Sequence, residues 1–389
     1  MQDAVARKSG AGAAGSGFFT RIESLRGVAA FMVAVFHSIH LLPVDGVERL
    51  YARTAFELEG IHTAVARLWM AVFNGGAAVS LFFVISGFVL RLALERDTRA
   101  APDVVTSFAA RRFFRIYPAL AANLVAMFVA LWATHLLWPA AVHEAPTPGD
   151  LLENLVLLAP STNGATWSLQ VEFLAVPFVL AGHFIAKRFG ARGLLVFVAF
   201  LLAAVFERWL LFRVGLIANH MFMFGFGVLV ADFAPRLAAK LTRRSAGGLL
   251  ALGVALLLGA RLVVRYYSKW SLLLEGVGGA LVVALVAFGP TLRPIAWLDS
   301  QRVRALGRIS YSFYLWHPVF LMAFAGPAVI ALTPPAVLAA WPLACALLIA
   351  VLSIPPTWFA AKLSYAWVEQ GAIGFGRRQE KRLLAAVAR

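Results

Sequence analysis

Ten apolar runs, each close to the length of a bilayer crossing, most limit how this 389-residue chain can fold. They fall at about 24–43, 68–90, 116–138, 167–186, 192–206, 215–232, 246–264, 271–289, 309–332 and 338–366. A hydrocarbon core about 30 Å thick takes a helix of about 20 residues, because in lipid each backbone N–H and C=O must be paired within the segment. The fifth run is short, and Pro355-Pro356 interrupts the tenth. Composition agrees: 61% of residues are hydrophobic and 14% charged, against about half and about a quarter in soluble domains. The expectation is an all-α polytopic membrane protein, one bundle of about ten transmembrane helices.

The formal net charge of +16 would suit a nucleic-acid partner. The basic residues, however, sit in short loops between apolar runs and not along one amphipathic face, so the lipid bilayer is the expected partner and nucleic acid is not. With the N-terminus inside, 26 of the 35 Lys and Arg fall on the cytoplasmic side, clustered at 91–115, 187–192, 236–244, 293–308 and 377–389, with Arg7, Lys8, Arg21 and Arg26 before them. That asymmetry predicts an N-in, C-in topology. Residues 1–20 read as a disordered cytoplasmic tail, 21–370 as the transmembrane domain and 371–389 as a basic cytoplasmic tail. The first apolar run lacks an A-x-A cleavage site and reads as a retained helix. The single cysteine, Cys345, leaves no disulfide within the chain and no cysteine-based metal site. P-loop, GxSxG and HExxH patterns are absent from the sequence, and no metal is expected. On the outer side, the loop 139–166 is Pro-rich, carries a short interfacial helix near Asp150-Leu-Leu-Glu-Asn-Leu-Val, and places Trp167 at the headgroup level.

Ionisable groups inside the spans mark the candidate chemistry, since they are costly there and face a cavity or a partner. Arg26 and His37 lie on the first helix within about 20° of one face and about 16 Å apart. A histidine is suited to take a proton from a hydroxyl near neutral pH, the step that acylation of an alcohol needs. The structural alternative is a hydrogen bond from His37 to a neighbouring helix. Trp167-Ser168-Leu169-Gln170-Val171-Glu172 opens the fourth span, with Ser168 and Glu172 on one face, and Glu172 is a candidate to orient His37. Arg111, Arg112 and Arg115 enter the third span; guanidinium forks suit phosphate oxygens, although plain positive-inside anchoring explains them too. Ser310-Tyr311-Ser312-Phe313-Tyr314-Leu315-Trp316-His317-Pro318 opens the ninth, where Pro318 should free a backbone carbonyl and kink the helix. Ser86-Gly87-Phe88 in the second span reads as close helix packing through small residues.

Taken in order, these segments resemble the membrane-bound acyltransferase 3 family: "IESLRGVAAFMVAVFH", "SLFFVISGFVL", "RRFFRIYP", "WSLQVEF" and "ISYSFYLWHP" span residues 22–318. The resemblance implies transfer of an acyl group, commonly acetyl, from cytoplasmic acyl-CoA to a hydroxyl of a sugar-containing acceptor such as a surface polysaccharide or lipopolysaccharide, in a bacterial inner membrane. It implies catalytic roles for Arg26, His37 and Glu172, donor contacts for Arg111, Arg112, Arg115, Tyr314, Trp316 and His317, and acceptor contacts for Trp167 and Ser168. Two departures stand out. Glu23 replaces the commoner Asp, and Glu369-Gln370-Gly371 replaces the family's closing E-[RK]-P segment. A multi-helix transporter or flippase of an envelope glycan is the competing class; buried charges suit it, but no internal repeat does.

Overall fold

The computed structural model describes residues 14–41, 54–57, 61–139, 145–265 and 268–387; residues 1–13, with Arg7 and Lys8, and the outer arginines Arg49 and Arg53 lie outside them. The described residues form helices and loops with no strand. The principal helices are α1 (Ala14–Ser38), α2 (Ile61–Val72), α3 (Gly75–Glu95), α4 (Ala101–Leu137), α5 (Pro148–Leu155), α6 (Trp167–Phe206) and α7 (Met221–Ala238). They continue with α8 (Arg243–Val263), α9 (Lys269–Phe288), α10 (Gln301–Arg308), α11 (Ser310–Phe320), α12 (Gly326–Leu332), α13 (Pro342–Ser364) and α14 (Gln370–Val387).

Among the described residues, nine helical stretches are long and apolar enough to cross a membrane. The chain is a multi-pass membrane protein. The difference from the expected ten lies in one stretch, Gly164–Phe206, whose 43 residues would run about 65 Å as a straight helix, twice the hydrocarbon thickness. It is not straight. Gly190 sits at φ 63°, ψ −155° and breaks α6 into two arms, which correspond to the fourth and fifth apolar runs. The turn suits glycine, for which φ > 0 carries no Cβ penalty. The proline pair Pro355-Pro356, by contrast, does not interrupt α13, which runs from Pro342 to Ser364. Thr357 Oγ1 donates to Ser353 O at 2.7 Å and Ser353 Oγ to Ala350 O at 3.1 Å, on either side of Val351 O and Leu352 O, the two carbonyls whose helical donors the prolines remove.

The chain divides into two compact units: Met1–Ala30, Leu50–Glu95 and Pro177–Ser310 form one, and Phe31–Arg49, Arg96–Val176 and Tyr311–Arg389 the other. The first unit is built on close backbone approach. A Cβ added at Gly87 of α3 would overlap the Phe224 backbone of α7, and one at Gly227 would overlap Val84. This is the small-residue packing expected for Ser86-Gly87-Phe88. The same unit buries two ionic groups. Glu275, fully buried, pairs with Arg261 and accepts from Ser80 Oγ at 2.9 Å. Arg91 forks onto Asp232 at 2.9 and 3.1 Å and reaches His183 Nδ1 at 2.6 Å. Every charge in these sets has an opposite charge or a hydrogen-bond partner, the condition for keeping ions at membrane depth.

Candidate active site

The second unit holds most of the candidate residues, and one proline organises them. Pro318 has no N–H, so Tyr314 O, four residues earlier in α11, loses its helical donor. The His317 side chain supplies a replacement, with Nδ1 2.6 Å from Tyr314 O. A carbonyl can only accept, so in the neutral ring Nδ1 carries the proton and Nε2 keeps its lone pair. His317 Nε2 lies 2.9 Å from His37 Nδ1, with the two rings stacked at a centroid separation of 5.1 Å and 26° between planes. His37 Nδ1 therefore donates, and the lone pair of His37 is left on Nε2. The freed carbonyl expected from Pro318 thus sets a tautomer two residues along the chain of hydrogen bonds. Below the dyad, Leu321–Ala325 adopts a π-helical turn, a feature that recurs at functional sites.

The loop before α6 does not stay at the headgroups. Trp132 Nε1, near the end of α4, donates to Pro146 O at 2.8 Å. The chain then forms α5, capped by a Thr147–Asp150 box with Pro148 in its first turn, which is the short helix expected near Asp150. It leaves α5 through Leu157, held at φ 57°. By Asn163 it has reached Asn123, with Nδ2 3.0 Å from Asn123 Oδ1. Asn123 is 14 residues before the end of α4 at Leu137, about 21 Å along the helix axis. Residues 156–166 are therefore a re-entrant segment, and Trp167 and Ser168 start α6 deep in this unit, correcting their placement at the outer interface. The physical reason is polar satisfaction: irregular backbone can enter a membrane protein where protein groups meet it. Asn123 Nδ2 donates to Leu315 O at 2.9 Å, Asn154 Oδ1 accepts from Asn163 N at 2.8 Å, and Asn154 Nδ2 donates to Thr166 Oγ1 at 2.7 Å. Tyr314 Oη donates to Ala165 O at 3.0 Å and lies 2.9 Å from Ser168 Oγ. The segment and the histidine dyad thus share Tyr314, through its hydroxyl and its carbonyl respectively.

The three arginines of α4 part company, because successive helical residues turn by about 100°. Arg111 and Arg115 are exposed and Arg112 is buried. Arg112 Nη2 meets Glu172 Oε2 at 2.6 Å, so Glu172 lies beside the arginine segment and not at the outer interface, and the ring against His37 Nδ1 belongs to His317. Arg111 lies 3.3 Å from both Asp97 and Glu380 of α14. Arg99, 2.5 Å from Asp97, holds that carboxyl down at about 2. Glu369 is buried at the end of a second π-helical turn, Tyr365–Glu369, and accepts from Ser312 Oγ at 3.0 Å. Trp316 packs on Met127, Leu131 and Val319, and its buried Nε1 has no protein acceptor. Arg26, on the same helix as His37, falls in the first unit.

A family model described as an acyltransferase domain, acyltransferase 3, matches residues 19–357. The chain belongs to the acyltransferase 3 family. No curated protein and no solved structure matches significantly. Membership makes this chain a membrane acyltransferase and sets aside the transporter reading. The match takes in the first-helix Arg26 and His37, the arginines of α4, the start of α6 and the α11 motif. It stops before Glu369. What sequence reasoning missed in this acyltransferase is the asparagine set, Asn123, Asn154 and Asn163. The available signal was three amides within or beside apolar runs, where an unsatisfied amide is expensive.

Proposed function

We propose that this acyltransferase moves an acyl group, acetyl in the first instance, from cytoplasmic acyl-CoA to a hydroxyl of a sugar-containing acceptor on the outer side of a bacterial inner membrane, with N- and C-termini inside. The observation that carries the reading is the directed chain Tyr314 O, His317, His37. His37 Nε2 takes the proton of the acceptor hydroxyl as its oxygen bonds to the thioester carbonyl carbon. The tetrahedral intermediate collapses, the C–S bond breaks, and the imidazolium returns the proton to the CoA sulfur. No metal ion takes part. Arg111 and Arg115 take the donor phosphates, the former by exchanging a carboxylate for a phosphate. Arg112, neutralised by Glu172, lines the donor side with Trp316. Trp167 and Ser168 serve the acceptor side, Ser168 through its contact with Tyr314.

The test is release of CoA thiol from acetyl-CoA by the purified full chain, with an envelope glycan extract as acceptor. A positioned general base contributes about 10²–10⁴-fold, so His37→Ala should lose that much while remaining monodisperse. Full activity in a folded His37→Ala protein would remove His37 from the chemistry.

A further inference from the structure

We infer that the re-entrant segment Ser161–Gly164 is the wall of a water-filled acceptor vestibule, and that it selects the glycan delivered to His37. The inference rests on the acyl-transfer reading and adds the element that recognises the acceptor. Gly164 is exposed, and a Cβ built on it meets nothing within 4 Å. Yet its neighbours are pinned about 21 Å from the end of α4, Asn163 by Asn123 and Ala165 by the Tyr314 hydroxyl. Exposed irregular backbone at that depth cannot face hydrocarbon, because nothing there would pair its polar groups; it is tolerated where it borders water. The open space beside Gly164 is therefore aqueous.

Two further observations point the same way. Thr162 is 2% exposed and its Oγ1 has no protein partner, a burial that costs about 1–3 kcal/mol unless another hydroxyl meets it. A polyhydroxylic acceptor in the vestibule brings such a group within a small movement of the loop. Leu157, where the chain turns inward, holds a left-handed conformation rare for a large side chain. Strain of this sort persists where surrounding structure enforces it and gathers at ligand sites. Because Tyr314 is bound to the segment by its hydroxyl and to His317 by its carbonyl, an acceptor lying along the segment is led to the dyad. A small residue at 164 leaves room for a pyranose ring, and the chemistry expected of the occupant is a neutral sugar with vicinal hydroxyls.

The experiment uses the full chain with Cys345→Ala and a single new thiol, Gly164→Cys, treated in spheroplasts with a membrane-impermeant cationic methanethiosulfonate. Leu169→Cys, at a buried position, is the control. The Gly164→Cys thiol should react at least about tenfold faster than the control, as exposed thiols do relative to buried ones. The adduct should cut glycan-dependent CoA release by about 10²-fold, the cost of displacing a reactant by about an ångström or more. No labelling of a monodisperse Gly164→Cys protein overturns the vestibule. Labelling that leaves glycan-dependent turnover intact overturns acceptor selection. Neither result depends on His37→Ala, so failure of the base assignment and failure of the vestibule are read separately.

Discussion

Replacing Pro318 by alanine should lower activity while raising stability. Alanine restores an N–H at 318, which is placed to donate to Tyr314 O as in any α-helix. That carbonyl now accepts from His317 Nδ1 at 2.6 Å. Competition for it weakens the bond that fixes the His317 tautomer, and with it the requirement that Nε2 of His317 accept from His37 Nδ1 at 2.9 Å. A net hydrogen bond is worth about 0.5–1.5 kcal/mol, so the productive tautomer should lose about two- to tenfold in relative population, at about 1.4 kcal/mol per tenfold. Removing a proline from a helix interior works the other way, by up to about 3 kcal/mol. The assay is acetyl-CoA thiol release with glycan acceptor, beside a thermal unfolding curve in the same detergent. A two- to tenfold fall in kcat with an equal or higher Tm is the signature. Activity within about twofold of wild type at raised Tm would refute the tautomer argument, since alanine would then have satisfied Tyr314 O without consequence.

Arg112→Met should destabilise by about 1.5–3 kcal/mol, the worth of a hydrogen bond to a charged group, and Arg112→Met/Glu172→Leu should recover most of the loss of Tm; a double variant no more stable than the single one would show that the pair is not the reason. Gly227→Ala should cost about 1–3 kcal/mol through overlap with the α3 backbone, read as a drop in detergent Tm; a Cβ accommodated without loss would mean that α3 and α7 can separate freely. The acid limb of stability should carry Asp97. Its folded-state value is depressed, so its contribution is full above the ordinary 3.8 and is lost as pH falls to about 2. Asp97→Asn should therefore flatten Tm against pH across that window, and an unaltered slope would exclude the Arg99 contact as the cause.

Much of the architecture was legible because lipid enforces it: apolar length gave the crossings, and buried ionisable groups led to His37 and His317. Positive φ at Gly190 was not legible, since glycine alone does not say where a helix breaks, but the two separate apolar runs on either side of it were. Pro355-Pro356 misled for the converse reason, as α13 runs on through the pair from Pro342 to Ser364 although neither proline can donate to the carbonyl four residues back. The site was legible in its members and not in its pairings. Glu172 and Arg112 are 60 residues apart, His37 and His317 are 280 apart, and no local periodicity reports contacts of that kind. The outer loop was read as lying on the surface because polar irregular chain ordinarily does; three asparagines allow it inside.

That inward loop also constrains biogenesis. Asn163 shares Leu315 O with Asn123, and that carbonyl belongs to a residue 152 positions later in the chain. At about 5–20 residues per second, synthesis reaches Leu315 about 8–30 s after Asn163 has emerged. Until then the segment has Asn123 of α4 but lacks Leu315 O and the Tyr314 hydroxyl, the partners that α11 supplies. It must stay in water, outside the membrane or within the insertion channel, and move inward once α11 is in place. Closure of the loop is thus a late step of assembly, made after the ninth crossing, and a chain stopped short of residue 315 should leave 156–166 open to protease.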